Sequence, residues 1–299
     1  VKALLKINPF NHILILDNNS SSEYMGYLNS ASVTVINGST KNINKLDECV
    51  TFLPDICFHF GEYSRINSSF DDIEKVIDSN ICGTAEVLEY CRLYKIKLIY
   101  SASSSVYDYN LTKKNSNPYT DSKMRNIAMI KNYNNWFNLD YILLYFYNIY
   151  GAGQIKYGSM ATIIGKFEQQ YMTGENLSVV VPGNQKRDFT YVDDVMDALL
   201  LVTEKSNGRA YNVATGIPTT VTELVETITD IYGYKPEFKY DLRRVALAFV
   251  YVGNEYSIIH FFYREYTILN EHDFKNRKNN KRMDGLQRSS ECSLLCIRF

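Results

Sequence analysis

A chain of 299 residues, 45% of them hydrophobic and 22% charged, carries enough apolar matter for a large buried core. A net charge of −1 offers no attraction for nucleic acid or an anionic membrane, so neither is expected as a partner. No stretch is long and apolar enough to cross a bilayer and the opening residues lack a cleavable leader, so a cytoplasmic location is expected.

The chain opens on VKALLKI, which has the character of a helix end leading into a strand. From there, β-branched and apolar bursts alternate with longer amphipathic stretches. The bursts predict strands at His12–Asp17, Ser32–Asn37, Asp55–Phe60, Lys97–Ser103, Asp140–Phe146, Ser178–Val181 and Arg209–Ala214. Between them the spacing predicts helices over Asp72–Tyr94, Tyr119–Trp136, Ser159–Thr173, Asp193–Glu204 and Val221–Tyr232. Such alternation argues a parallel α/β sheet, in which ligands bind beyond the carboxyl ends of the strands. After Arg244 the alternation dissolves into an aromatic, apolar stretch, Ala246–Tyr263, and a basic run, Lys275–Arg282, expected to be solvated. The six cysteines form no CxxC pair, and the four in apolar or helical stretches are expected as reduced, packed thiols.

Two short segments could carry chemistry. Tyr119 and Lys123 lie four residues apart at a predicted helix start behind Pro118, so their side chains share one face. An ammonium beside a phenol favours the phenolate, which suits a general base. Tyr109 and Lys113 have the same spacing but sit among turn formers. The second segment, Ser101–Tyr107, follows the strand Lys97–Ser103 and sets hydroxyls where a substrate oxygen would lie; its alternative is a serine-rich turn. His59 is expected to be packed in the core, and Asp193 and Asp194 to cap the following helix rather than bind metal.

Taken in order, KLIYSASSSVY, NPYTDSK, YFYNIYGAGQ, GNQKRDFTYVDDV and AYNVATG resemble the extended short-chain dehydrogenase/reductases, and within them the UDP-glucose 4-epimerase group. The resemblance runs from residue 1 to about Arg244. It implies a Rossmann-type doubly wound sheet over residues 1–150, a substrate lobe with interleaved sheet elements over 151–244, and an unassigned tail over 245–299. NAD is the implied cofactor, a UDP-hexose the implied substrate, and a homodimer the implied assembly. Tyr119 would be the acid/base, Lys123 the holder of the nicotinamide ribose, and Ser103 the catalytic hydroxyl. Asp17 and its neighbour Asn18 would meet the adenosine ribose, with Phe60, Gly61 and Asn80 lying along the cofactor. Ser105, Asn148, Arg187 and Arg244 would grip the sugar nucleotide, arginine suiting the diphosphate through its fork of donors. Each has a plainer reading: Asp17 as a turn former, Asn148 as a cap, Arg187 as a surface ion pair with Asp193 or Asp194.

The chain also departs from the family. Val1 aligns inside the family's first helix, so the opening strand and GxxGxxG loop are missing, and the sequence has the character of a truncated or decayed copy. The strands on either side of the lost one would then have unpaired edges and the pyrophosphate no helix terminus, giving weak NAD binding. Ala246 replaces the glycine of an Arg-x-Gly phosphate motif at Arg244, and Gly38-Ser39 stands where Gly-Asp is frequent. Epimerisation at carbon 4 is the implied reaction. A 4,6-dehydratase is the rival, disfavoured because Ser104 and Ser105 occupy the places of its Asp-Glu pair. A non-catalytic remnant is the other alternative.

Overall fold

The computed structural model describes residues 1–21, 30–107, 117–158, 160–180, 182–203 and 208–233, and beyond them the backbone of four strands. A short helix α1 (Lys2–Ile7) leads into β1 (His12–Asp17) and β2 (Val33–Asn37). A 3-10 turn at Thr40–Lys45, α2 (Asp47–Phe52) and β3 (Ile56–His59) follow. The predicted helix Asp72–Tyr94 is α3 (Ile73–Val76) and α4 (Gly83–Tyr94), joined by a π turn over Ile77–Cys82. Then come β4 (Lys97–Ser103), α5 (Pro118–Phe137), β5 (Tyr141–Phe146) and β6 (Asn148–Tyr150). Next are α6 (Ile163–Met172), β7 (Leu177–Val180), β8 (Lys186–Tyr191) and α7 (Val192–Thr203). The series ends with β9 (Arg209–Val213), β10 (Pro218–Thr220) and α8 (Val221–Tyr232). The four further strands are β11 (Phe238–Asp241), β12 (Ser257–Phe262), β13 (Glu265–Leu269) and β14 (Ser293–Arg298).

The main sheet has nine strands in the order β13-β12-β9-β5-β4-β3-β14-β1-β2, and only β13 runs antiparallel to its neighbour. Strands β1, β3, β4 and β5 are buried on both faces, as a parallel sheet covered by helices requires, while the edge strand β2 is largely exposed. Leu14 and Leu16 point into a core with Val87, Leu88 and Ile130, while Ile13 and Ile15 face Val195, Leu199 and Val202. That two-residue alternation explains why β1 is an almost unbroken apolar run. A smaller core of Phe167, Leu177, Val179, Val225 and Ile228 joins α6, β7 and α8. Helix α8 starts on a capping box, Thr220 with Glu223, and ends on Gly233, whose φ of 71° suits glycine.

One expectation is overturned at the centre of the sheet. The edges of β1 and β3 are not left open. Strand β14 lies between them, parallel to both, pairing His12–Asp17 with Ser293–Arg298 on one side and Ile56–His59 with Leu294–Ile297 on the other. The physical reason is that two facing rows of unmet amide and carbonyl groups bind any extended apolar segment that can reach them, and SLLCIR is such a segment. The tail beyond residue 244 also adds β12 and β13 to the sheet beside β9. Arg244, the basic run 275–282 and the pair Tyr109 and Lys113 lie outside the described residues.

Candidate active site

The carboxyl ends of β1, β3, β4 and β5 converge on one edge of the sheet, and the implied site residues follow them. Pro118 opens α5, and the side chain of its N-cap, Asn117, accepts from the Thr120 amide at 2.8 Å, which fixes the helix start. Tyr119 and Lys123 thus sit on the first turns of α5, both buried. The serine loop is drawn against the same helix. Ser103 Oγ lies 3.0 Å from Ser105 Oγ, and Thr120 Oγ1 donates to Ser105 Oγ at 3.1 Å. A chain of hydroxyls therefore leads from the end of β4 to the residue beside Tyr119. Arg65, in the loop after β3, interacts electrostatically with the Tyr119 phenol; burial lowers its basicity, and its Nε is a buried donor without a partner.

Lys123 is held by Glu62 and Ser101. Its Nζ donates to the Glu62 carboxylate and to the Ser101 carbonyl, the latter at 2.6 Å. The other Glu62 oxygen accepts from Asn126 Nδ2 at 2.7 Å, Tyr100 OH at 3.0 Å and Thr84 Oγ1 at 3.0 Å. Beside this network His59 is fully buried with Nε2 2.8 Å from Thr84 Oγ1. Burial pushes its pKa down to about 4, so it is a neutral core histidine, as expected. Burial together with the Glu62 carboxylate pushes the Tyr100 phenol well above its ordinary range, so it donates and does not ionise.

Asn80 occupies the π turn, a widening that often marks functional sites. It is fully buried and committed internally: Oδ1 accepts from the Tyr63 amide at 2.7 Å, and Nδ2 donates to the Tyr63 carbonyl and to Ser122 Oγ. Its neighbours Asp78 and Ser79 line a small pocket with Asn18, Gly38, Ser39, Thr40 and Gly61. Two of the implied cofactor residues, Asn18 and Gly61, therefore share one cavity. Asp17 is buried at the end of β1, where its Oδ1 accepts from the Asn19 amide at 2.8 Å and shapes the turn into this pocket. Phe60 packs edge-on against Phe58 and Phe146.

A third group sits on the short sheet β10-β8-β6. Asn148 Nδ2 donates to the Asp188 carbonyl at 3.1 Å and so ties β6 to β8. The Asp188 carboxylate in turn receives the amides of Thr215 and Gly216, fixing the loop after β9. Arg187 is part-buried, and desolvation pulls its basicity down; among the described residues no carboxylate acts on it, and the ion pair with Asp193 or Asp194 does not form. Those two aspartates stand in the first turn of α7, where carboxylates favour the helix. Among the described residues no cluster of His, Cys, Asp and Glu could hold a metal ion, and no helix is long and apolar enough to cross a membrane. Cys49, Cys57 and Cys91 are buried free thiols, while Cys82 is exposed.

Residues 1–214 match, as a whole, the description "NAD dependent epimerase/dehydratase family". The chain belongs to that family. NAD is its cofactor, and the Rossmann-type α/β sheet is its fold. Within this epimerase/dehydratase family, the chain is 28% identical over 213 residues to a UDP-glucose 4-epimerase of Mycolicibacterium smegmatis, a span of 66% of this chain and 68% of that one. A dTDP-D-glucose 4,6-dehydratase of Dictyostelium discoideum is 27% identical over 198 residues, 59% of this chain and 45% of the relative. In three dimensions the chain resembles a crystal structure of UDP-glucose 4-epimerase with UDP-glucose from Thermotoga maritima. The TM-score is 0.74 at 25% identity, covering 82% of each chain.

Proposed function

We propose that this family member is an NAD-dependent nucleotide-sugar epimerase that inverts carbon 4 of a UDP-hexose through a transient 4-keto sugar. The observation that carries the reading is the placement of Tyr119 and Lys123, both buried, on the first turns of α5, backed by the hydroxyl chain from Ser103 through Ser105 to Thr120. The cofactor fits the residues at its two sugars. The pocket walled by Asn18, Gly38, Ser39 and Gly61 suits the adenosine end, and the unpartnered, buried Asn19 Oδ1 beside it is an acceptor awaiting a donor. Lys123 would take the nicotinamide ribose. Bound NAD would supply the group that takes up the carbon-4 hydride and gives it back to the opposite face; Tyr119 would withdraw the proton of the 4-hydroxyl and return it after the sugar has turned over. Ser103 and Ser105 would hydrogen-bond that oxygen. Residues 151–244 would form the substrate lobe, where Arg187, a part-buried guanidinium with no carboxylate acting on it among the described residues, would take the diphosphate and Asn148 would line the sugar site.

An epimerase is favoured over a dehydratase because Ser104 and Ser105 supply no acid and base for the loss of water, and Ser105 is already engaged with Ser103 and Thr120. Tyr119→Phe should reduce UDP-glucose/UDP-galactose interconversion by roughly 10²–10⁴-fold, the usual worth of a positioned acid/base, with UDP affinity little changed. Undiminished turnover in this variant would overturn the reading.

A further inference from the structure

Glu62 is a costly residue to bury. A carboxylate removed from water is tolerated only when its charge and lone pairs are met. Here they are met completely. One oxygen takes Lys123 Nζ, and the other takes Asn126 Nδ2, Tyr100 OH and Thr84 Oγ1, donors drawn from α4, β4 and α5. Glu62 and Lys123 are 1% and 4% exposed at their side chains, so water does not screen the pair. The carboxylate is also aimed at the same ammonium that the reading above sets beside the reacting phenol.

We propose that Glu62 is a positioning residue of this reaction centre: it anchors the Lys123 ammonium and offsets its charge, so Tyr119 is tuned by a carboxylate–ammonium pair and not by a lone lysine. The inference rests on the assignment of Tyr119 as acid/base. An ammonium with a carboxylate in contact presents a dipole, whose field dies away faster than that of a free cation. Anchoring has a second effect. Glu62 and the Ser101 carbonyl fix two of the three Lys123 N–H bonds, and the remaining contact, to Ser101 Oγ at 3.4 Å, is long enough to yield to a ribose hydroxyl. The other titratable groups facing the pair are His59 and Tyr100, with Arg65 and Tyr100 facing the Tyr119 phenol. His59 and Tyr100 are held neutral by burial, so Glu62 is the buried carboxylate that meets the Lys123 charge.

The test is a tyrosinate ultraviolet titration of the full chain, taking as the Tyr119 signal the part lost in Tyr119→Phe. In Glu62→Gln the phenolate should form at a pH lower by about one unit, a tenfold change in proton concentration, because the cation is no longer offset. The double variant Glu62→Gln/Lys123→Met removes both charges and replaces them with neutral groups of similar volume; it should fold and titrate close to the parent. An unmoved signal in Glu62→Gln, or a double variant that titrates well above the parent, would show that Glu62 does not act on Tyr119. If Glu62→Gln does not fold, the double variant decides alone. Sugar epimerisation in Tyr119→Phe tests the epimerase reading separately, since the titration needs neither cofactor nor turnover.

Discussion

The two parts of the candidate site are built on opposite plans. Around Lys123, the side chains of Glu62, Asn126, Tyr100 and Thr84 form a buried network in which both carboxylate oxygens of Glu62 are met. At the pocket proposed for adenosine, the walls are small residues and turn backbone, and the ion pair there, Lys41 with Asp78, is solvent-exposed. The difference teaches where precision is needed. Chemistry demands charges fixed against a low-dielectric background, whereas an adenosine needs only shape and a few acceptors.

If that contrast is right, charge removal should be expensive at one end and free at the other. Lys123→Met leaves the Glu62 carboxylate buried without its counter-ion and should cost roughly 3–5 kcal/mol of stability by urea unfolding. A loss as small as that of a surface change would dissolve the contrast. Acid sharpens it next. The pKa of His59 is depressed from 6.5 to about 4 in the folded protein, so between those values the unfolded chain binds more protons. Stability should therefore fall as pH drops through this window, by roughly 3 kcal/mol, and His59→Phe should remove that dependence in paired denaturation series at high and low pH. Arg187→Ala, on the short sheet, should weaken UDP binding by about 1.5–3 kcal/mol in calorimetry, the worth of a charged hydrogen bond. Unchanged affinity would mean that the diphosphate is held elsewhere. Last, Lys41→Ala should leave the melting temperature unmoved, because an exposed pair contributes almost nothing.

Much of this was legible in advance. Strand β1 announced itself through its unbroken apolar run, and β4 and β5 likewise, because parallel strands buried on both faces need no polar alternation. The Tyr119–Lys123 spacing works because both residues belong to the same helix, so local geometry suffices. Glu62 was missed for the opposite reason. Its partners come from α4, β4 and α5, and no local spacing encodes a meeting of distant segments. The available signal was a single acidic residue between Gly61 and Tyr63, directly after a buried strand, where a carboxylate demands an explanation. Strand β8 was also missed, since Lys-Arg-Asp has the look of a loop and only its Asp188 and Thr190 side is buried. SLLCIR could be seen as apolar, but a short apolar run does not disclose which strands it will join.

The position of β14 bears on how the protein comes into being. Its partners include His12, near the start of the chain, yet it is Ser293 that pairs with it. During synthesis the edges of β1 and β3 are made early and stay open while the ribosome works through everything between. Closing the sheet is thus the most non-local step available to this chain, and folding should be slow and exposed to chaperone capture until β14 emerges.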